Sequence, residues 1–430
     1  MKKSRMLQTT SSHALGLVPA VTPFAPDSIR RLLDTQSITT DFQPIFSVRQ
    51  KCVVGMEALA RGISADGRIV PPDALFKMAA AEGLRDQLED VCRRTAIRGF
   101  SGLHARPDEL LLFLNLDLAA AARHETIPAD LLSLVREAGL LPRNVAVEFL
   151  EARLEEVARF GALAAELRQL GFLVVLDDVG AGHSNLDRIP LFRPHVIKVD
   201  RSLISGVRED FYKQETLKSL VSLSRRIGAL VVAEGIETEE EAISALELGA
   251  DLLQGFFLSR PQPATAFDDG VRAASSIERL ARNFKGHMVG QINERKRQHR
   301  RFNVIQNRML YDLTHAQASE FDGILTQLIG DFPKVECVYI LDDDGMQVTE
   351  TIGHPAVKQR PGAALFRPAR KGADHSLKEY FYVLLDVELQ KYTTDPYVSL
   401  ASGNLCRTIT TSFRDAANNR LYVLCVDVNP

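Results

Sequence analysis

The sequence has little cysteine, no tryptophan and almost no net charge. Five cysteines occur among 430 residues, and no two of them form a Cys-x-x-Cys pair. An odd number of scattered cysteines argues against a disulfide framework or a zinc site and is typical of a reducing compartment. The formal net charge of −3 gives no general attraction to nucleic acid or to an anionic membrane. We therefore expect no nucleic-acid polymer as a partner, and any affinity for a nucleotide must be local.

The sequence also lacks a long apolar run, so it predicts no membrane span. Its first residues are basic, but residues 7–13 are too polar for the apolar part of a signal peptide. We expect a cytoplasmic protein. Hydrophobic residues make up 45 % and charged residues 25 % of the chain, as in ordinary globular proteins with a sizeable core.

Hydrophobic patterning divides the chain into four parts. Residues 1–26 are rich in Ser, Thr and Pro and predict a loose tail. Residues 27–265 alternate short apolar runs with helical stretches, after a short helix capped near Ser28. Residues 266–329 predict a helical linker, and residues 330–430 a separate α+β domain with strands at 337–341, 381–385, 404–411 and 421–428 and a return strand from 347. The basic stretch 295–301 is best interpreted as a solvated helix face, although an anion-binding or interdomain role stays open.

Eight apolar runs in the second part predict a barrel. They lie at 42–48, 53–59, 111–117, 145–151, 173–178, 196–200, 230–234 and 252–256. Near-continuous apolar strands joined by helices are typical of a parallel sheet covered on both faces, and eight of them suggest a (β/α)8 barrel. The first two runs are too close together for a parallel crossover, so the first strand is expected to pair antiparallel with the second. The predicted fold class is therefore α/β, a modified TIM-like barrel followed by a long helix and an α+β domain.

Polar residues lie in or directly after most of these strands. The carboxyl ends of parallel barrel strands converge on one face, where barrel enzymes carry their active sites. One acid at a strand end usually begins a solvated loop, but a polar residue on seven strands is hard to explain that way. The set comprises Glu57, Asn115, Glu148, Glu151, Asp177, Asp178, Lys198, Asp200, Glu234, Glu237 and Gln254.

So many carboxylates on one face repel one another and need cations. Carboxylate and amide oxygens favour Mg²⁺ or Mn²⁺ over zinc. The adjacent Asp177 and Asp178 suit a paired-metal site that clamps the attacking and leaving oxygens of a phosphoryl displacement. Lys198 should be held charged among these acids, where it can orient a water or bind a phosphate oxygen.

The motifs around these residues resemble, in order, those of the EAL family of cyclic di-GMP phosphodiesterases. Glu57-Ala58-Leu59 is similar to the tripeptide that names the family, and residues 42–45 resemble its opening strand. Residues 177–186, 197–202 and 232–238 are similar to the family's DDFGTGYSSL, KIDRS and VAEGVET segments. Residues 253–256 and Pro261 resemble its closing QGY…P. The resemblance covers about residues 38–262.

This resemblance implies metal-dependent hydrolysis of cyclic di-GMP to linear pGpG, with two ions of Mg²⁺ or Mn²⁺. It implies that one metal is bound by Glu57, Asn115, Glu148 and Asp177. It implies that the second is bound by Asp177 and Asp178, with Glu234 nearby. Lys198 matches the lysine that positions or helps to deprotonate the attacking water, and the implied catalytic residues are Lys198, Glu234 and Glu57.

The resemblance also assigns roles outside the metal site. Contacts with the nucleotide are implied for Gln43, Leu59, Arg61, Asp200 and Gln254. Support of the loop after the fifth strand is implied for Glu151, Gly182 and Glu237. In that loop Val179, Ala181, His183 and Asn185 replace the family's usual residues, while every ligand candidate is kept. Because the loop orders the second metal and a dimer contact in the family, a homodimer is expected, and the replacements bear on efficiency and regulation.

Two segments of the C-terminal domain, residues 375–381 and 397–409, resemble PAS/Cache-type sensor sequence. This resemblance implies a domain that binds an unknown small molecule and regulates the barrel. A dimerisation module without a ligand is an equally good interpretation.

Three functions remain open from the sequence alone. They are a metal-dependent phosphodiesterase, a receptor that binds cyclic di-GMP without cleaving it, and a scaffold that acts through its C-terminal domain. The retained glutamate, aspartates and lysine favour the enzyme. We also expect that a chain cut after about Pro261 keeps a folded barrel with altered activity.

Overall fold

The computed structural model describes residues 28–103, 110–116, 126–149, 157–181, 187–267, 271–357, 366–386 and 389–429. The chain forms two compact units, Met1–Met288 and Val289–Pro430. The division falls inside one long helix, whereas the sequence pattern separated a helical linker at 266–329. Within the described residues, no helix is both long and apolar enough to cross a membrane.

The first unit is built around a ten-stranded sheet. Its strands are β1 (Ile38–Ser47), β2 (Cys52–Ile63), β3 (Ile69–Val70), β4 (Leu111–Leu116), β5 (Val145–Phe149), β6 (Leu173–Val179), β7 (Val196–Val199), β8 (Leu230–Ala233), β9 (Leu252–Leu253) and β10 (Gln262–Pro263). Strands β2 and β4 to β9 pair parallel in chain order. Strand β1 pairs antiparallel with both β2 and β9 and so closes the sheet into a barrel. The predicted modified barrel with an antiparallel first strand pair is confirmed.

Helices cover the outside of this barrel. They are α1 (Ile29–Asp34), α2 (Pro72–Glu82), α3 (Arg85–Leu103), α4 (Ile127–Glu137), α5 (Val157–Gln169), α6 (Arg188–Phe192), α7 (Arg201–Ile204), α8 (Phe211–Ile227), α9 (Glu239–Glu247) and the first part of α10 (Val271–Thr314). Local sequence signals set several of their ends. The Ser28 side chain caps α1 as predicted, and Thr238 with Glu241 forms a capping box at α9.

The barrel strands alternate between two apolar layers. Outward residues such as Leu114, Val147 and Ile197 pack in the main core that the helices cover. Inward residues form a separate cluster, which consists of Ile45, Phe113, Ala146, Val175, Val196, Val232 and Leu252. A Cβ atom at Gly55 would lie 2.6 Å from the Phe113 ring, so glycine in β2 makes room for this inner layer.

The second unit contains an antiparallel sheet with helices on both faces. Its strands are β11 (Val335–Asp342), β12 (Ile352–Gly353), β13 (Lys391–Thr393), β14 (Tyr397–Val398), β15 (Leu405–Arg414) and β16 (Leu421–Val428), in the order β12-β11-β16-β15-β13 with β14 beside β15. The end of α10 and helix α11 (Phe321–Ile329) pack on one face. Helix α12 (Glu379–Asp386) packs on the other. The PAS/Cache interpretation of this unit stays a prediction.

Three details of the second unit differ from the sequence prediction. Residues 381–385 form a helix rather than a strand, because Tyr380, Phe381 and Leu384 are spaced to bury one helical face. The predicted helical linker 266–329 is interrupted between α10 and α11 by a 3-10 turn, Ala318–Glu320. The return strand expected from residue 347 is only a single bridge, between Leu341 and Gln347.

Candidate active site

The strand register places a polar layer directly above the inner apolar layer of the barrel. On each of six parallel strands, the residue two positions beyond an inward apolar residue is polar and faces the same way, because side chains alternate along a strand. The polar residues are Asn115, Glu148, Asp177, Lys198, Glu234 and Gln254. Glu57 of β2 pairs with Phe113 of β4, and Gln43 of the antiparallel β1 pairs with Glu57. The predicted convergence of these residues therefore follows from strand geometry.

Lys198 lies at the centre of this layer and is 1 % exposed. Its Nζ atom is 2.7 Å from Glu148 Oε1 and 2.7 Å from Glu234 Oε1. The same atom is 3.3 Å from Glu57 Oε2 and 3.4 Å from Asp177 Oδ1. One buried ammonium group thus faces four carboxylates, which leaves the cluster with excess negative charge when all are ionised.

The crowding shifts the pKa values of these groups in different directions. Burial raises the pKa of Glu148 and of Glu234 well above the usual range, although the Lys198 ammonium opposes the shift. Burial alone would lower the pKa of Lys198, but the carboxylates led by Asp177 and Glu148 hold it well above its usual range. Burial also opposes ionisation of Glu57, but Lys198 and hydrogen bonds from neighbouring amides bring its pKa below the usual range. Lys198 is therefore held charged, as the sequence predicted.

A β-bulge brings the two adjacent aspartates to the same site. The register between β6 and β7 shifts between Leu176 and Val179, and Asp178 adopts the left-handed region with φ +53°. The Asp178 backbone N donates to Asp177 Oδ1 at 2.9 Å. Neighbouring residues of a regular strand face opposite sides, whereas carboxylate oxygens of Asp177, Asp178 and Glu234 lie within 4.8 Å of one another. Burial and the Asp177 charge raise the pKa of Asp178 to about 6.

An amide network holds Glu57 in place. Gln254 Nε2 donates to Glu57 Oε2 at 2.5 Å and to Gln43 Oε1 at 3.2 Å. Asn115 Nδ2 donates to Glu57 Oε1 at 3.3 Å. Gln43 in turn donates to the Ser259 carbonyl oxygen at 3.1 Å. These bonds explain why the sequence places amides, rather than further acids, beside Glu57.

The residues present fit a hard divalent cation. Glu148 Oε2 and Gln254 Oε1 are buried, and neither has a hydrogen-bond partner in the part of the chain that the structure describes. Orphaned buried acceptors of this kind are rare unless an ion or a water completes them. The donor set around Lys198 consists of carboxylate and amide oxygens, which Mg²⁺ and Mn²⁺ prefer and zinc does not.

The remaining predicted residues lie around this cluster with partners of their own. Arg61 Nε donates to Asp41 Oδ2 at 2.9 Å. Asp200 caps α7 by accepting from the Ser202 backbone N at 2.9 Å, and its charge contributes to the raised pKa of Asp178 after burial and Asp177.

Four further predictions concern the rim and the loop. Leu59 is half-buried on β2, and Glu237 forms an exposed ion pair with Arg201. Glu151 and Gly182 lie outside the described residues. The roles of all these residues stay predictions.

Asp41 is a residue that the sequence analysis missed. It lies on β1, two positions from Thr39, which pairs with Arg61 across the β1–β2 ladder. Diagonal neighbours in an antiparallel pair are within reach of long side chains. The sequence predicted that β1 and β2 pair antiparallel. The Asp41–Arg61 ion pair also depends on the register of that pairing, which the structure gives.

Comparison with known proteins places the chain in a family. A sequence profile of the EAL domain matches residues 27–261. The chain is 28 % identical over 248 residues to the cyclic di-GMP phosphodiesterase NbdA of Pseudomonas aeruginosa, over 57 % of this chain and 32 % of that protein. It is 28 % identical over 253 residues to the cyclic di-GMP phosphodiesterase PdeL of Escherichia coli, over 56 % of this chain and 67 % of that protein. The chain thus spans about a third of the length of several curated relatives that it matches.

Solved structures with a similar fold include proteins that bind cyclic di-GMP. The Bacillus subtilis YkuI protein, with an EAL domain and in complex with substrate c-di-GMP and calcium, superposes with a TM-score of 0.78 at 22 % identity, covering 94 % of this chain and 99 % of that one. At this identity the similarity shows the fold alone. The calcium/cy-diGMP complex of Klebsiella pneumoniae BlrP1 gives a TM-score of 0.50 at 30 % identity, over 56 % of this chain and 59 % of that one. Since the profile matches more than half of its residues, the chain belongs to the EAL domain family.

Proposed function

We propose that the barrel hydrolyses cyclic di-GMP to linear pGpG in a reaction that depends on divalent cations. The observation that carries the proposal is the convergence of Glu57, Glu148, Asp177 and Glu234 on the buried Lys198. Relatives named as cyclic di-GMP phosphodiesterases, and the BlrP1 complex with this dinucleotide and calcium, support the substrate.

Two cation positions are proposed. Glu57, Asn115, Glu148 and Asp177 would hold one ion, and Asp177, Asp178 and Glu234 the other. Either Mg²⁺ or Mn²⁺ suits these oxygen ligands. When bound, such ions polarise the phosphate and make a bound water more acidic.

The side chains of the chain itself would position the reactants. A water adds across one P–O ester bond, so that one phosphomonoester and one ribose hydroxyl are formed. Lys198 has donors to orient this water or to bind a phosphate oxygen, while its neighbouring carboxylates fix its ammonium group. Gln43, Leu59, Arg61, Asp200 and Gln254 are proposed to contact the nucleotide. Glu151, Gly182 and Glu237 are proposed to support the adjacent loop.

Incubation of the purified full chain with cyclic di-GMP tests this function. We expect pGpG with Mg²⁺ or Mn²⁺ and none with a chelator, measured by chromatographic separation of the nucleotides. Lys198→Met keeps the buried hydrocarbon stem without its charge and should abolish hydrolysis. Lys218→Ala, a change at a half-exposed lysine on α8, is the control and should leave turnover unchanged.

The result also separates the competing functions. Cyclic di-GMP that binds in calorimetry without cleavage would identify a receptor. A chain that neither binds nor cleaves the dinucleotide would support the scaffold hypothesis. A cytoplasmic location, a homodimer, a sensory role for residues 330–430 and the domain boundaries at 265 and 329 remain predictions.

A further inference from the structure

The second unit contains a cavity of about 440 Å³ between the sheet and the segment that leads into α12. Its volume is within the range of small-molecule sites in proteins. Three tyrosine side chains, Tyr339, Tyr380 and Tyr397, form much of its wall. Tyr339 and Tyr380 meet edge to face, with ring centroids 6.4 Å apart. The cavity therefore offers aromatic surface to an occupant.

One carboxylate also lines this cavity and is buried. Asp427 of β16 is 3 % exposed and lies on the same face of the sheet as the apolar Val423 and Cys425. Its Oδ1 atom accepts a hydrogen bond from Thr408 Oγ1 at 2.7 Å, and its Oδ2 atom accepts one from the Cys337 thiol at 3.3 Å. Since the single Thr408 hydroxyl proton goes to Asp427, the Tyr397 hydroxyl must donate to Thr408. Asp427 thus accepts hydrogen bonds only from uncharged groups among those described, the Thr408 hydroxyl and the Cys337 thiol.

The protein itself supplies no cation to this carboxylate within the described residues. Charged side chains of both signs line the cavity, but those other than Asp427 are exposed; they are Arg367, Asp374, Lys378, Glu379 and Asp395. The buried His375 is engaged through Nδ1 with the Tyr380 hydroxyl at 2.7 Å and through Nε2 with Gln347 Oε1 at 3.0 Å. Burial lowers the pKa of His375, which favours the neutral imidazole, with Nε2 donating to Gln347 and Nδ1 accepting from Tyr380. A buried carboxylate without a counter-ion is unfavourable, so a cation in this cavity would stabilise Asp427.

We propose that this cavity binds a small organic cation, whose ammonium or amidinium group pairs with Asp427 and whose apolar part packs against the tyrosine rings. A cation over an aromatic face is attracted by the ring quadrupole, and a charge-assisted hydrogen bond to Asp427 adds selectivity. The exposed charges at the rim include both signs, so they do not favour an anion. The site is separate from the barrel cluster and does not depend on the reaction proposed for it.

Ligands of one shape and different charge test this proposal directly. Binding of benzylamine, phenethylamine, benzyl alcohol and benzoate to the full chain is measured by calorimetry at neutral pH. We expect both amines to bind at least about 10-fold more tightly than the alcohol, as one charge-assisted hydrogen bond allows, and benzoate not to bind. Equal affinity for amine and alcohol, preference for benzoate, or no binding of either amine would overturn the proposal.

Variants then assign the binding to Asp427. Asp427→Asn keeps the shape and the hydrogen bond from Thr408 but removes the charge, and it should lower amine affinity to that of benzyl alcohol. Asp331→Asn changes an exposed aspartate of the same unit and should leave the affinity unchanged. Amine binding that survives in Asp427→Asn would show that the cation binds elsewhere. If this variant does not fold, the comparison of ligands on the unchanged chain still decides the preference for a cation.

Discussion

At the scale of single residues, Lys198 and the four carboxylates around it form a buried charged cluster that the stability of the fold does not require. A fully buried lysine is destabilising unless its charge is compensated, and here four carboxylates compensate one ammonium group. Burial first, and then the charges of Glu57 and Asp177, raise the pKa of Glu148 and of Glu234. An arrangement with more buried carboxylates than the fold requires is typical of a site organised for a ligand.

Glu57→Ala should abolish hydrolysis without unfolding the chain. Glu57 lies in the polar layer rather than in an apolar core, and its removal relieves repulsion with Glu148, Asp177 and Glu234. We expect turnover to fall by more than the roughly 10- to 100-fold that removal of a hydrogen-bond partner of a metal ligand costs. The midpoint of thermal unfolding should fall only slightly, because the relieved repulsion offsets the loss of a carboxylate that Lys198 and the neighbouring amides stabilise. Turnover is measured with saturating metal, and unfolding by circular dichroism.

A second substitution separates charge from shape at this position. Glu57→Gln keeps the hydrogen-bonding positions for Gln254 and Asn115 and should be as inactive as the alanine variant. Glu209→Ala, at an exposed glutamate of the same unit, should behave as the unchanged chain. Near-normal turnover of Glu57→Ala would refute the site assignment.

Ca²⁺ should inhibit turnover in the presence of Mg²⁺ or Mn²⁺. It prefers six to eight ligands at about 2.3–2.6 Å, whereas Mg²⁺ requires a near-octahedral shell at about 2.0–2.1 Å. Oxygens of Asp177, Asp178 and Glu234 lie within 4.8 Å of one another, and these three residues are the ligands proposed for one small ion. Turnover is followed while Ca²⁺ is titrated against a fixed Mn²⁺ concentration. Full turnover with Ca²⁺ as the sole divalent cation would contradict this expectation.

At the scale of single elements, the end of β6 shows how local backbone geometry completes the site. A regular strand would direct Asp178 away from Asp177, but the bulge and the positive φ of Asp178 turn it towards the same cavity. Aspartate and asparagine tolerate this conformation better than most residues. The position therefore needs both a carboxylate and a residue that accepts left-handed backbone.

Substitutions at Asp178 should separate these two needs. Asp178→Asn tolerates the left-handed backbone without the charge, so it should keep the unfolding midpoint and lose most of its turnover. Asp178→Val should lose turnover and also unfold at a lower temperature, because a β-branched residue is strained at positive φ. The two variants are compared by thermal unfolding and by turnover at saturating Mn²⁺. Equal unfolding midpoints for the two variants would mean that residue 178 does not adopt the left-handed backbone conformation.

Much of the barrel and its polar layer could be predicted because both follow from short-range patterns. An apolar residue followed two positions later by a polar one, such as Val196 and Lys198, indicates that both side chains face the barrel interior. The polar residue then lies at the carboxyl end of the strand, where the candidate site is. The bulge at Asp177–Asp178 could not be predicted, since it depends on pairing with β7.

Helix α12 was mistaken for a strand because a short apolar run around Phe381 fits both periods. Asp427 was overlooked, although an acid within the otherwise apolar strand Leu421–Val428 is a visible signal.

At the scale of the whole molecule, α10 contributes to both compact units. Leu280 belongs to the core of the barrel unit, and Met309 and Leu313 belong to the core of the second unit. Near its beginning, Asn283 donates to Glu239 at 2.6 Å, and His287 bonds to Glu247 at 2.7 Å, so that the helix is held against α9. The barrel unit therefore continues structurally beyond Pro261, where the family profile ends.

A chain that ends at Pro261 should be less stable than one that ends at Met288. The shorter chain loses the buried Leu280 and the partly buried Phe284 from the barrel core, at about 1.5–3 kcal/mol for a fully buried side chain. It also loses β10, which pairs with β1. A typical domain has an unfolding free energy of about 5–15 kcal/mol, so this loss is a large fraction of the total. We therefore expect the 1–261 chain to unfold at a clearly lower urea concentration than the 1–288 chain. Equal midpoints would show that α10 adds nothing to the barrel and that the earlier cut is adequate.

The 1–288 chain should differ in turnover from the full chain. Helix α9 follows β8 and Glu234 in the chain. A change in the second unit that shifted α10 would move Asn283 and His287, which bond to Glu239 and Glu247 of α9. Typical coupling free energies correspond to a change of about 5- to 150-fold, in either direction, at saturating substrate.

Lys296→Pro in the full chain breaks the exposed middle of α10 and should reproduce the turnover of the 1–288 chain, whereas Lys296→Ala should not. Light scattering shows whether the chains share one oligomeric state. Equal turnover of all four proteins in the same oligomeric state would mean that the second unit does not regulate the barrel.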